Sequence, residues 1–300
     1  MSKSYLGLAL GGGGARGAAH IGAIQTLHSA GVRPDIIAGT SAGSTVGAMY
    51  AATLDPKWIE ERFREFMGDD SFRQFNSGEL LDGRNQETFL KKVTSKVKQH
   101  YMVILGLNKS FVASRKILEK AVDYLLPVDT FEELKIPLKI VATDIHTGDD
   151  IVHEEGDIKE AIVRSSSIPG FFEPTHNDGR LLVDGGVTAP IPIEILKRKV
   201  SVVMAIDITN YSVKPLENPN MIEIVRRADI ITSLRLKERI SKDADILIRP
   251  DVLGLHWSEF GKFDYLLDSG RDAAKRALDS LVKTPPDADH IYYDLFRSLK

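Results

Sequence analysis

Apolar positions fall into two spacings along the chain. Short runs of strand length stand at 5–10 ("YLGLAL"), 35–39 ("DIIAG"), 138–145 ("LKIVATDI"), 149–155 ("DDIVHEE"), 180–186 ("RLLVDGG"), 200–208 ("VSVVMAIDI") and 244–250 ("ADILIRP"). Between them lie stretches with helical spacing. At 18–31, Ala18, Ile21, Ile24 and Leu27 recur every third residue until Gly31 stops the pattern. The small residues of 42–54 suit a closely packed helix, 157–166 and 264–282 read as helices, and 221–240 has the apolar spacing of an amphipathic helix. Strands alternating with helices predict an α/β fold, a three-layer sandwich with a mostly parallel sheet between helices. The runs at 138–145 and 149–155 are close enough in sequence to pair. For 221–240, periodicity leaves open whether the helix packs on the sheet or between subunits.

With 300 residues, and no internal repeat, low-complexity linker or convincing boundary, the chain reads as a single domain over 1–300. One segment, about 68–113, interrupts the alternation. Between Phe89 and Leu118 stand Lys91, Lys92, Lys96, Lys98, Lys109, Arg115 and Lys116 without an acidic residue, around the apolar stretch 101–107. Such a basic, apolar insertion suits a lid or, over 91–116, peripheral contact with an anionic membrane. A solvated helix beside a buried strand would look the same.

Overall charge narrows the function classes. A net charge of -3 gives no general attraction for nucleic acid, which is set aside as a partner. The absence of cysteine excludes disulfides, thiolate metal sites and a cysteine nucleophile. The first apolar run is too short for a signal-peptide core, and no run reaches the roughly 18 residues of a membrane span. These features lead to an expectation of a cytoplasmic protein, peripheral at most at the inner membrane face.

Three motifs carry candidate chemistry. Gly39-Thr40-Ser41-Ala42-Gly43 follows a strand and opens a helix, the setting in which a strained turn pushes a serine hydroxyl outward. A glycine-rich turn that only packs strand against helix would have the same composition. Gly12-x-Gly14-x-x-Gly17 also lies between a strand and a helix, as in dinucleotide sites, but the second strand ends in Gly39-Thr40-Ser41 and lacks the acid that would hold a ribose. Free amides in such a loop can instead receive an oxyanion. Arg16 would add positive charge there or brace the loop. No histidine has a persuasive setting, although His256 and His290 follow the later acids in the chain order of a Ser/Asp/His triad. Asp184 precedes Gly185-Gly186, and Asp-Gly is foremost a turn signal.

Taken together, 11–17 ("GGGGARG"), 39–43 ("GTSAG") and 184–186 ("DGG"), with 165–174 ("SSSIPGFFEP") and 187–194 ("VTAPIPIE"), resemble the bacterial branch of the patatin-like phospholipase family over about 5–210. The resemblance implies a fold related to but distinct from the α/β-hydrolases, acting on acyl esters of lipids. It implies Ser41 as nucleophile and Asp184 as base, with no histidine, and an oxyanion hole at Gly12, Gly13, Gly14 and Arg16. Gly17, Gly39, Ala42, Gly43, Gly185 and Gly186 are the supporting motif positions. No metal or cofactor is implied, and many members have Asp-Gly-Ala where this chain has Asp184-Gly185-Gly186. The insertion and the helices and strand of 211–300 lie outside the motifs. The expected activity is a serine-dependent phospholipase A or lysophospholipase. An acyltransferase using the same acyl-enzyme and a non-catalytic lipid-sensing module are the competing readings.

Overall fold

The computed structural model describes residues 4–69, 72, 113–213 and 215–283. Its sheet is built from β1 (Ser4–Leu10), β2 (Ile36–Thr40), β3 (Leu138–Asp144), β4 (Asp150–His153), β5 (Thr175–Asn177), β6 (Arg180–Asp184), β7 (Val200–Ile206) and β8 (Ile246–Ile248). The order is β5-β6-β3-β2-β1-β7-β8, with β4 also on β3. From β3 to β8 the neighbours are parallel, as expected of strands joined by helical crossovers. The β4, β5 and β6 pairings are antiparallel, so the sheet is mixed at the β3 end.

The side chains of a central strand alternate between two cores because strand residues point to opposite faces. Leu6, Leu8 and Leu10 of β1 and Val202, Met204 and Ile206 of β7 join the larger core. That core is covered by α1 (Ala18–Ser29), α2 (Ala42–Thr53), α3 (Pro56–Gly68), α4 (Lys116–Leu125), α5 (Ile158–Ser165) and α8 (Phe263–Lys283). Ala9, Ala38, Val203 and Ala205 face the other way, against Ile193 and Leu196 of α6 (Ile193–Lys197). Helices on both faces make the expected three layers. α1 and α8 approach so closely that a Cβ on Gly22 would stand 1.9 Å from the Leu267 carbonyl oxygen, and one on Gly270 2.0 Å from that of Ala19.

Two features differ from the sequence pattern. α3, α4 and α6 were not legible, being short or flanking the irregular segment. The remaining helix, α7 (Met221–Ser241), is largely uncovered: of its 21 residues only Ser241 is buried, and Ile240 packs against the smaller core. Its apolar side chains are spread round the helix rather than gathered on one stripe, so no single docking face holds it down. Its start is fixed locally, by a reciprocal cap in which Asn220 accepts from the Glu223 N–H and Glu223 from the Asn220 N–H. The basic stretch expected to contact membranes lies almost wholly outside the described residues, as does His290. Among the described residues no helix is long and apolar enough to cross a membrane.

Candidate active site

Ser41 sits at the end of β2, where the chain turns directly into α2. Its backbone has φ 53° and ψ -122°, a conformation costly for a residue with a side chain. The surroundings hold it there. The Ser41 N–H donates to Ser165 Oγ at 2.9 Å, Ser165 Oγ donates to the Val141 carbonyl at 2.6 Å, and the Ser41 carbonyl accepts from both the N–H and the hydroxyl of Ser44. The flanking glycines are required by contact. A Cβ on Gly39 would stand 2.6 Å from the Gly43 carbonyl oxygen, and one on Gly43 2.2 Å from that of Leu10.

Asp184 reaches the same point from the opposite direction. β6 runs antiparallel to β3, and its last residue pairs with Ala142, while Thr40 at the end of β2 pairs with the preceding residue, Val141. The end of β6 is thereby brought against the turn after β2. The Asp184 N–H donates to the Ser167 carbonyl at 2.8 Å, so the last residue of α5 anchors Ser41 and the segment just after it anchors Asp184. Burial pushes the Asp184 carboxyl up to about 6, and hydrogen bonds from the Ser41 side chain and the Gly186 N–H limit the rise. The Gly186 bond, 2.7 Å to Oδ1, fixes the carboxylate's rotation. A side chain at Gly185 is excluded, since its Cβ would lie 2.2 Å from the Val141 carbonyl oxygen.

The glycine loop lies alongside. Gly12 faces the Ser41 Cβ at 3.4 Å from where its own Cβ would be. Its N–H, however, donates to the Pro190 carbonyl at 2.9 Å, which corrects the expectation that this amide is free for an oxyanion. Among the described residues the amides of Gly13 and Gly14 have no acceptor. Gly14 has φ 57°, and a Cβ there would stand 2.4 Å from the Trp257 carbonyl oxygen. Arg16 Nε donates to the Gly13 carbonyl at 3.1 Å, the bracing role. Burial lowers its guanidinium to about 10, partly offset by Asp207, and it stays charged at neutral pH. Gly17 packs against Ala42, 3.1 Å from where its Cβ would be.

Two cavities meet at Ser41, sharing Gly14, Ser41, Ile168 and Trp257. One, of about 120 Å³, is walled by apolar side chains including Val46, Phe66, Val122, Phe172 and Phe263. The other, of about 480 Å³, holds Asp184 and the glycine loop, with Arg16 on one side and Asp229, Ser233 and Lys237 of α7 on another. Neither Arg16 nor Lys237 forms an ion pair among the described residues. Burial lowers the Lys237 ammonium, as does Arg16, while Asp184 raises it.

Among the described residues no histidine is hydrogen-bonded to Ser41 or Asp184. His256 is exposed and its Nδ1 lies 2.8 Å from Ser258 Oγ, and His20 uses Nε2 on the Gly11 carbonyl at 2.7 Å, with burial holding it down to about 4. No group of three or more His, Asp or Glu among the described residues is placed to hold a metal ion. Sequence reasoning missed Ser165, Ser167, Pro190 and Lys237. The first three lie in the two segments already singled out for resemblance, which was the available signal.

The comparisons with known proteins bear on this geometry. The patatin-like phospholipase family model matches residues 8–197. An NTE family protein of Mycobacterium bovis is 34% identical over 192 residues, covering 64% of this chain and 45% of that protein. Human patatin-like phospholipase domain-containing protein 6 is 26% identical over 303 residues, and lysophospholipase NTE1 of Kluyveromyces lactis 29% over 297 residues. These matches cover 92% and 90% of this chain, but the chain spans only about a fifth of such relatives, 20% and 19% of their length. The crystal structure of VipD from Legionella pneumophila aligns with a TM-score of 0.49 at 16% identity, over 93% of this chain and 67% of that one. With the family model matched across most of its length, the chain belongs to the patatin-like phospholipase family.

Proposed function

We propose that the protein hydrolyses a carboxylic ester of a lipid, with Ser41 as nucleophile and Asp184 as general base. The observation that carries this reading is the buried Asp184 carboxylate held against a strained serine, its proton affinity raised to about 6. An ordinary carboxylate, with a pKa near 4, is a poor base towards an alcohol, and burial reduces that mismatch. In the first step Asp184 takes the hydroxyl proton as Oγ bonds to the ester carbonyl carbon. The oxygen that becomes negative is received by the Gly13 and Gly14 amides, in a loop braced by the Arg16 cation. Collapse of this intermediate expels the lipid alcohol, which takes the proton from Asp184 and leaves an acyl ester on Ser41. Water then attacks the acyl-enzyme with Asp184 again as base, releasing a fatty acid and restoring the serine.

The cavities suggest how the substrate lies. The apolar one suits the acyl chain, and the larger one, with Arg16 and Lys237, suits an anionic headgroup. The names of the family and of relatives such as the lysophospholipase of Kluyveromyces lactis agree with that class. The test is fatty-acid release from a lysophospholipid and from a monoacylglycerol of the same chain length. Lys237→Met should weaken turnover of the phosphate-bearing substrate alone. Absence of release from either substrate contradicts the proposal.

A further inference from the structure

The large apolar side chains that are exposed among the described residues are not scattered over the surface. Six of them, Met221, Ile222, Ile224, Val225, Ile230 and Ile231, belong to α7, and Val213 and Leu216 to the loop that leads into it. Two more, Ile145 and Val187, are 47% and 40% exposed and line the larger cavity beside Asp184 and α7. Within α7 all six stand in its N-terminal half, at positions 221 to 231 spread round the helix, with Met221, Ile224, Val225 and Ile231 exposed to 77%, 53%, 64% and 46%. The residues of α7 that line the cavity, Asp229, Thr232, Ser233, Leu236 and Lys237, stand further towards its C-terminus. One helix thus exposes apolar side chains over its N-terminal half while its C-terminal half lines the cavity where Ser41 lies. Contiguous exposed apolar surface of this kind on a protein otherwise well covered marks an interaction site.

Charge identifies the partner. Across its length α7 carries five basic residues, Arg226, Arg227, Arg235, Lys237 and Arg239, against the three acids Glu223, Asp229 and Glu238, although the whole chain is negative. Exposed apolar side chains interspersed with Arg226 and Arg227 fit the boundary between acyl chains and negatively charged headgroups. We propose that the outward face of α7, with Ile145 and Val187 on the cavity rim, docks on the surface of a membrane containing anionic lipid. In that pose the mouth of the cavity meets the lipid surface, and a substrate enters without crossing water. The choice of lipid rather than a protein as the occupant rests on the hydrolase reading above.

The test separates binding from turnover by using the full chain with Ser41→Ala. Sedimentation with phosphatidylcholine vesicles, with and without phosphatidylglycerol, should show association that needs the anionic lipid and weakens as salt rises. Replacing Ile224 and Val225 together by Glu should reduce vesicle association by about tenfold or more, since a charge replaces buried apolar area at two positions. In the background that keeps Ser41, the same double variant should hydrolyse a water-soluble ester at the wild-type rate, showing that it folds. Unchanged vesicle association in the double variant, or none in the parent, would overturn the proposal. So would a dimer that the double variant converts to monomer without any vesicle association, because the exposed half of α7 would then face a second copy. Vesicle association retained without ester hydrolysis would leave the docking face standing and remove the hydrolase reading instead.

Discussion

Asp184 meets Ser41 because β3 pairs Val141 with Thr40 and Ala142 with Asp184, so the ends of two strands from distant parts of the chain abut at consecutive rungs. The juxtaposition is a consequence of register. A slip of one residue in β6 would turn Asp184 to the other face of the sheet.

Removing the carboxylate should remove turnover without unfolding the protein. Asp184→Asn is expected to lower ester hydrolysis by about 100- to 10,000-fold, the usual range for loss of a general base. In the wild type the rate should climb with pH until a plateau above about 6, where the carboxylate is ionised. Stability moves the other way. A carboxyl raised from 3.8 to about 6 by folding favours the protonated native state, so its contribution is present below 3.8 and is lost as pH rises through 6. Denaturant unfolding at pH 4 and pH 7 should therefore show Asp184→Asn gaining on the wild type at the higher pH.

Ser165 holds the Ser41 N–H and is predicted to act by positioning it. Ser165→Ala removes the acceptor of the buried Ser41 N–H and should cost about 1–3 kcal/mol of stability. Because that bond holds the strained turn, kcat should fall more than KM changes. Thermal unfolding and steady-state kinetics on the same variant check both expectations, and Ser165→Thr, which keeps the hydroxyl, should recover part of the loss.

The glycine loop allows a sharper test. Gly14→Ala must move the backbone against the Trp257 carbonyl at a positive φ and should lower kcat by about 100-fold or more by misplacing the amides. Gly31→Ala, also at positive φ but with open space around its Cβ, should cost stability and leave kcat near wild type.

His256→Ala should leave ester turnover within about twofold of wild type, since the ring lies on Ser258 and touches neither Ser41 nor Asp184. Initial rates with a soluble ester are sufficient to decide this.

Much of this was legible in the residue order. The strands β1, β2, β3 and β7 are short apolar runs with Val, Ile and Leu, and the turn at Ser41 announces itself through Gly39 and Gly43, whose missing side chains are required by contact. The hydrogen-bond partners were not legible. Nothing local to Gly12 indicates that Pro190 takes its amide, and a buried serine such as Ser165 leaves no periodic trace. The apolar content of α7 suggested a packed helix, because composition records that apolar residues are present and not what covers them.

The central claim is an activated Ser41 that depends on Asp184. Its most direct test is labelling with a fluorophosphonate, mapped to the modified residue in wild type, Ser41→Ala and Asp184→Asn. The account predicts a single adduct on Ser41 in the wild type, none there in Ser41→Ala and strongly slowed labelling in Asp184→Asn. Labelling of Ser41 at an undiminished rate in Asp184→Asn would contradict it.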